Sequence, residues 1–248
     1  EAVSALERII ELWPVKDGFY DVFAANSYFY IGNYAKALSI HLKALELRNG
    51  LPELDRLFVN WIGSVDNLKY SSWIGRCYVM LGEVEKGIFY LREDIRVSSG
   101  KDVGICIEDT WTCISWQYMG IAYQKLRDTQ KASECFQKAL DLVKDCPEDM
   151  YLRKAEILNS YAAFLLEQKD VMNANQQLQE ALRFAHLYLK GDQHPVLGHV
   201  LMMQADCIEA KEGRQCVEQA CQIRTQANEI FKEFLGADCP FIRVAQQA

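Results

Sequence analysis

Small residues recurring on one ruler limit the fold more than anything else in this chain. Ala25, Gly75, Gly120, Ala162 and Ala205 stand 50, 45, 42 and 43 positions apart. Three residues after each comes a large side chain: Tyr28, Tyr78, Tyr123, Leu165 and Ile208. Seven residues after each fall Gly32, Gly82, Arg127, Lys169 and Glu212, four of them followed by the turn formers Asn33, Asp128, Asp170 and Gly213. A second small residue lies twelve after the first, at Ala37, Gly87, Ala132 and Ala174. The fifth unit departs from this register. Its Ala220 comes three residues late, so either a longer turn enters there or the register fails. A helix–turn–helix pattern repeated at such a period belongs to an array, in which each unit buries its apolar face against its neighbours. With only 14 Gly and 5 Pro in 248 residues, long helices rather than many short strands are expected.

The clearest unit, residues 115–147, reads Trp116, Met119-Gly120, Tyr123, then Ala132, Phe136, Ala139 and finally Pro147. That order and spacing resemble the tetratricopeptide (TPR) signature, with Met where Leu is usual, and the resemblance extends over nearly the whole chain. It implies an all-α fold, a right-handed α-solenoid of antiparallel helix hairpins. Gly120 and Ala132 then let two helices approach closely, and Tyr123, Phe136 and Ala139 fill the seams. Units are expected at about 19–50, 66–100, 106–147, 153–190 and 196–236. Their periods exceed the 34 residues of a standard unit. The step Gly191-Asp192-Gln193-His194-Pro195, echoed by Gly236-Ala237-Asp238-Cys239-Pro240, resembles the long repeats of kinesin light chains in type. Lys190-Gly191 reads as the C-cap of the fourth unit's second helix.

Residues 1–14 match the second helix of a truncated unit through Ala2, Leu6, Ile9 and Pro14, and 240–248 read as the start of a further helix. The chain therefore reads as a window onto a longer array or a multidomain protein. Between units one and two, 51–65 form an extra helical insertion with Leu54, Leu57, Phe58, Trp61 and Ile62 at helical spacing.

Charge and chemistry exclude several classes. The net charge of −7 argues against a nucleic-acid stripe, and no apolar run reaches the length of a membrane span. The opening Glu1-Ala2-Val3 shows no basic-then-apolar leader. Nine cysteines without a Cys-x-x-Cys pair read as reduced packing residues of a cytoplasmic or nuclear protein. No phosphate loop, nucleophile elbow or zinc helix is present, and His194 and His199 flank a proline rather than sharing a ligand face. The acid pairs Glu229/Glu233 and Glu148/Asp149 fall in solvated contexts. Neither an enzyme nor a bound cofactor or metal is expected.

Surface recognition is what remains. The resemblance implies that first-helix residues flanking the small position line a concave groove. The candidates are Phe19, Asn26 and Tyr30, then Lys69, Trp73 and Arg76, with Lys125 and Asn159 further along. Phe23, Trp73 and Tyr118 read better as inter-repeat core, whereas Asn26, Lys69 and Arg76 have no evident core role. Arg76 suits an acidic side chain or a terminal carboxylate, and Asn26 a peptide backbone. A chaperone-tail clamp is not expected, because Ile121 and Ala163 break its pattern. The expected function is a scaffold binding a protein or peptide partner. The alternative is an architectural or regulatory arm of a larger protein, one whose catalytic domain lies outside this segment.

Overall fold

A computed structural model describes residues 19–49, 70–98, 112–212 and 216–243. Among them are ten α-helices and no strand. In chain order these are α1 (Phe19–Tyr30), α2 (Tyr34–Asn49), α3 (Tyr70–Leu81), α4 (Val84–Ser98) and α5 (Thr112–Lys125). Then follow α6 (Thr129–Leu142), α7 (Tyr151–Glu167), α8 (Val171–Leu189), α9 (Pro195–Glu212) and α10 (Val217–Leu235). The chain divides into two compact units, 1–132 and 133–248. In the first, α1 packs on α2, α2 on α3, α3 on α4, and α5 on both α3 and α4. In the second, α7 packs on α8 and α9, α8 on α9, and α9 on α10. The expected helix at 1–14 and the insertion at 51–65 lie outside the described residues. Pro240 and Phe241 form a turn, and 244–248 also lie outside.

The ruler explains where the helices begin and end. Gly32, Gly82, Arg127 and Lys169 all adopt the left-handed conformation, with φ of 85°, 87°, 59° and 62°. Each closes the same pair of hydrogen bonds. In the first turn Gly32 N–H donates to Phe29 O and Asn33 N–H to Tyr28 O, and the other three repeat it in register. Asn33, Asp128 and Asp170 then cap the next helix, their Oδ1 accepting from the N–H three residues on. In every hairpin the second small residue is the fourth residue of its helix: Ala37, Gly87, Ala132, Ala174 and also Ala220. Ala220 is late chiefly because α9 runs to the seventh residue after its small position, where α1, α5 and α7 stop at the fifth, and α10 itself keeps the register.

The small residues are buried where helices meet. A Cβ on Gly87 would lie 2.5 Å from Val79 Cγ2 and 3.0 Å from Gly75 O, and one on Gly75 would lie 2.7 Å from Leu91 Cγ. Only hydrogen at both positions lets α3 and α4 approach this closely. A repeated contact that the ruler did not mark is a lysine just before the second small residue. Lys36, Lys86 and Lys131 lie over the rings of Tyr28, Tyr78 and Tyr123, the large residues of their own units.

Polar clips reinforce each unit. Buried Asp94 of α4 accepts from Ser115 Oγ of α5 at 2.6 Å, and Ser115 shares a hydrogen with Ser72 of α3 at 2.8 Å. In the second unit Arg224 of α10 forks onto Asp206 and Glu209 of α9. The fork holds the Glu209 carboxyl below its ordinary value. Asn228 pairs through both amide groups with the backbone of Arg243, whose guanidinium also reaches Asp206.

The Gly-x-x-His-Pro step is a helix start. Lys190 closes α8 in the left-handed conformation, His194 Nδ1 accepts from Val196 N–H, and Pro195 opens α9. In the second copy Cys239 is buried beside Met202 and Phe231. The eight described cysteines are free thiols. Burial pushes Cys77 up to about 12 and also raises Cys207 and Cys239, so these three behave as packing groups.

Candidate functional site

Arg76 of α3 is the centre of the first unit's most unusual chemistry. Only 2 % of it is exposed. Its guanidinium lies 3.8 Å from the Trp73 ring centre, 4.5 Å from Phe29 and 4.8 Å from Tyr118. Its own helix and two facing ones supply these rings: Trp73 precedes Arg76 by one turn on α3, Phe29 lies in the last turn of α1, and Tyr118 lies mid-helix on α5. Phe29 meets the Trp73 and Tyr118 rings edge-on, and Tyr30 reaches Trp73 at 6.0 Å while itself 43 % exposed. His41 of α2 stacks on Trp73 with an interplanar angle of 14°.

The electrostatics are lopsided. Among the described residues no carboxylate pairs with Arg76, and its Nε has no hydrogen-bond partner. His41 is fully buried, and neither ring nitrogen is satisfied. Burial first, and the Arg76 charge second, lower its pKa to about 4, so it is neutral at physiological pH. Asn26, one turn before Tyr30 on α1, also has an unpartnered buried Oδ1. A cation held by ring quadrupoles keeps its charge uncompensated, and an incoming anion meets a field that no internal acid has cancelled.

Of the residues singled out from sequence, the structure brings Tyr30, Trp73 and Arg76 into one cluster, with Asn26 a turn away. Sequence reasoning left Arg76 without a core role, whereas three rings now surround it. Lys125 ends α5 in solvent, two turns beyond Tyr118. Asn159 lies on α7 in the second unit, its Oδ1 buried and unpartnered. Phe19 is the first residue of α1, and Lys69 lies outside the described residues. His41 was missed, although a signal existed. Four residues after the second small position, the next three units carry Leu91, Phe136 and Leu178, so a histidine there is out of pattern.

His199 of the other unit is structural. His199 sits between Phe231 and Phe241, 4.8 and 4.6 Å from their ring centres, and burial lowers its pKa to about 4. Among the described residues no group of three or more His, Cys, Asp or Glu is placed to hold a metal, and no helix is long and apolar enough to cross a membrane.

Comparison with known proteins bears on the fold. Residues 113–146 match the family model of the tetratricopeptide repeat. No curated protein matches the sequence significantly. Among solved structures, BtubC (BKLC) from P. vanneervenii is similar at 18% identity over 91% of this chain and 88% of that one, with a TM-score of 0.58. TTC0263, a thermophilic TPR protein in Thermus thermophilus, shares 15% identity over 88% and 93%, with a TM-score of 0.57. Nearly identical TPR-like repeats of a putative kinesin light chain from Podosopora anserina share 15% identity over 86% and 94%, with a TM-score of 0.53. With four turns closed by the same hydrogen bonds and five second helices in one register, residues 113–146 are a tetratricopeptide repeat, and the chain around them has the fold of a TPR array.

Proposed function

We propose that this chain is a protein-interaction scaffold whose first helices bind an extended acidic segment of a partner. The observation that carries the reading is Arg76, a buried guanidinium with an unsatisfied Nε and no carboxylate partner among the described residues. A partner carboxylate that displaced part of the covering ring cluster would give this guanidinium the charge-assisted hydrogen bond that the fold itself does not supply. Half-exposed Tyr30 and Trp73 offer apolar surface beside it, and the Asn26 amide suits a peptide backbone. Function on such a fold comes from its surface, and the TPR match favours a protein partner over a small substrate.

Fluorescence anisotropy with labelled peptides tests this. Acidic peptides carrying an aromatic or aliphatic anchor should bind, weaken with salt, and lose about tenfold or more on Arg76→Met or Tyr30→Ala, with helicity retained by circular dichroism. Equal binding of the matching Lys-substituted peptides, or no loss in either variant, refutes the reading.

A further inference from the structure

A second groove lies wholly within the other unit, between α8, α9 and α10, and its chemistry is opposite. Its volume is about 490 Å³. Leu197 and Leu201 of α9 and Ile230 of α10 line its floor, while Glu229 and Glu233 of α10 stand on its rim with His186 of α8. The floor residues are buried or half-buried, and the rim residues are exposed or half-exposed. We propose that this groove docks a basic segment of a partner protein, a branched aliphatic side chain flanked by two Lys or Arg.

Three observations converge on that occupant. First, neither Glu229 nor Glu233 has an ion-pair or hydrogen-bond partner among the described residues, although α10 uses Arg224 to engage Asp206 and Glu209 of α9. Secondly, the two carboxylates are one turn apart on a helix, where like charges repel. Glu233 also falls in the last turn of α10, where the macrodipole disfavours an anion. Lys232 on the same helix forms no ion pair with either carboxylate, and a bound cation relieves both penalties. Thirdly, an apolar floor beneath an anionic rim matches a cationic peptide with one aliphatic anchor, and it repels acidic peptides and anionic lipid.

Anisotropy with a labelled dodecapeptide carrying Lys on both sides of a central Leu tests the groove on the whole chain. Micromolar-range binding at low salt is expected. Glu229→Gln with Glu233→Gln should weaken it about tenfold, while the charge-matched control Glu148→Gln with Glu218→Gln changes it less than twofold. Replacing the peptide Leu by Ser should also weaken binding, and methyl NMR shifts should centre on Leu197, Leu201 and Ile230. No binding, equal loss in the control pair, or indifference to the Leu overturns the proposal. Arg76→Met should leave this peptide's affinity unchanged. Failure here and failure of the acidic-segment reading are thus separate results.

Discussion

Acidification should loosen the first unit through one imidazole, and the size of the effect follows from where that imidazole sits. His41 is fully buried against Trp73 and beside the Arg76 charge, and its pKa is lowered to about 4. In the unfolded chain the same group titrates near its ordinary value of about 6.5. Between those values the unfolded chain holds a proton that the folded chain refuses. The contribution is therefore complete above about pH 6.5 and is lost as the pH falls toward about 4. At about 1.4 kcal/mol per pH unit, the gap amounts to ~3 kcal/mol at its full extent. With an m-value of ~2 kcal/mol/M, the urea midpoint should fall by more than ~1 M between about pH 7 and about pH 4. His199 adds to the same window in the second unit, since its pKa is also lowered to about 4. Glu209, held down by Arg224, contributes only at lower pH. The diagnostic variant is His41→Leu, which installs the residue found at the equivalent positions 91 and 178. It should flatten a large part of the acid dependence. NMR of the imidazole Cε1–H should show His41 without titration above about pH 5, and Arg76→Met should raise its midpoint. A His41 midpoint near 6.5, or identical acid slopes in the parent and His41→Leu, refutes the reasoning.

Gly87→Ala should destabilise the chain by ~1–2 kcal/mol in urea titration. The added Cβ meets a β-branched Val79 with little rotamer freedom and the Gly75 carbonyl, and overpacking of ~1–3 kcal/mol outweighs a helix-propensity gain of ~1 kcal/mol. Conversely, Arg127→Gly and Lys169→Gly should each raise stability by ~0.5 kcal/mol, because relief of the left-handed backbone exceeds the added flexibility of glycine. A lowered melting temperature in both would refute the turn argument.

The fold was legible because a repeat states its own register several times. Small residues, turn residues and caps each recur, so a single misreading is outvoted, and even the late Ala220 proves to be in register within α10. The site was only partly legible. Spacing placed Tyr30, Trp73 and Arg76 on first helices, but which rings enclose Arg76 depends on three helices meeting, and no linear pattern encodes that. His41 could have been found as the polar member of a series otherwise filled by Leu91, Phe136 and Leu178. The lysines over Tyr28, Tyr78 and Tyr123 could also have been read, since all three precede a small residue. Glu229 and Glu233 were visible as an acid pair, whereas the apolar floor beside them comes from Leu197 and Leu201 on another helix.

The capped turns have a consequence for how such a chain tolerates change. Each second helix counts its phase from its own first residue, so its small residue is always the fourth, whatever length precedes it. Helix α9 runs two residues further past its small position than α1, α5 and α7 do past theirs, yet Ala220 is fully buried. Length added ahead of a second helix is therefore absorbed without re-aiming the face that the helix buries.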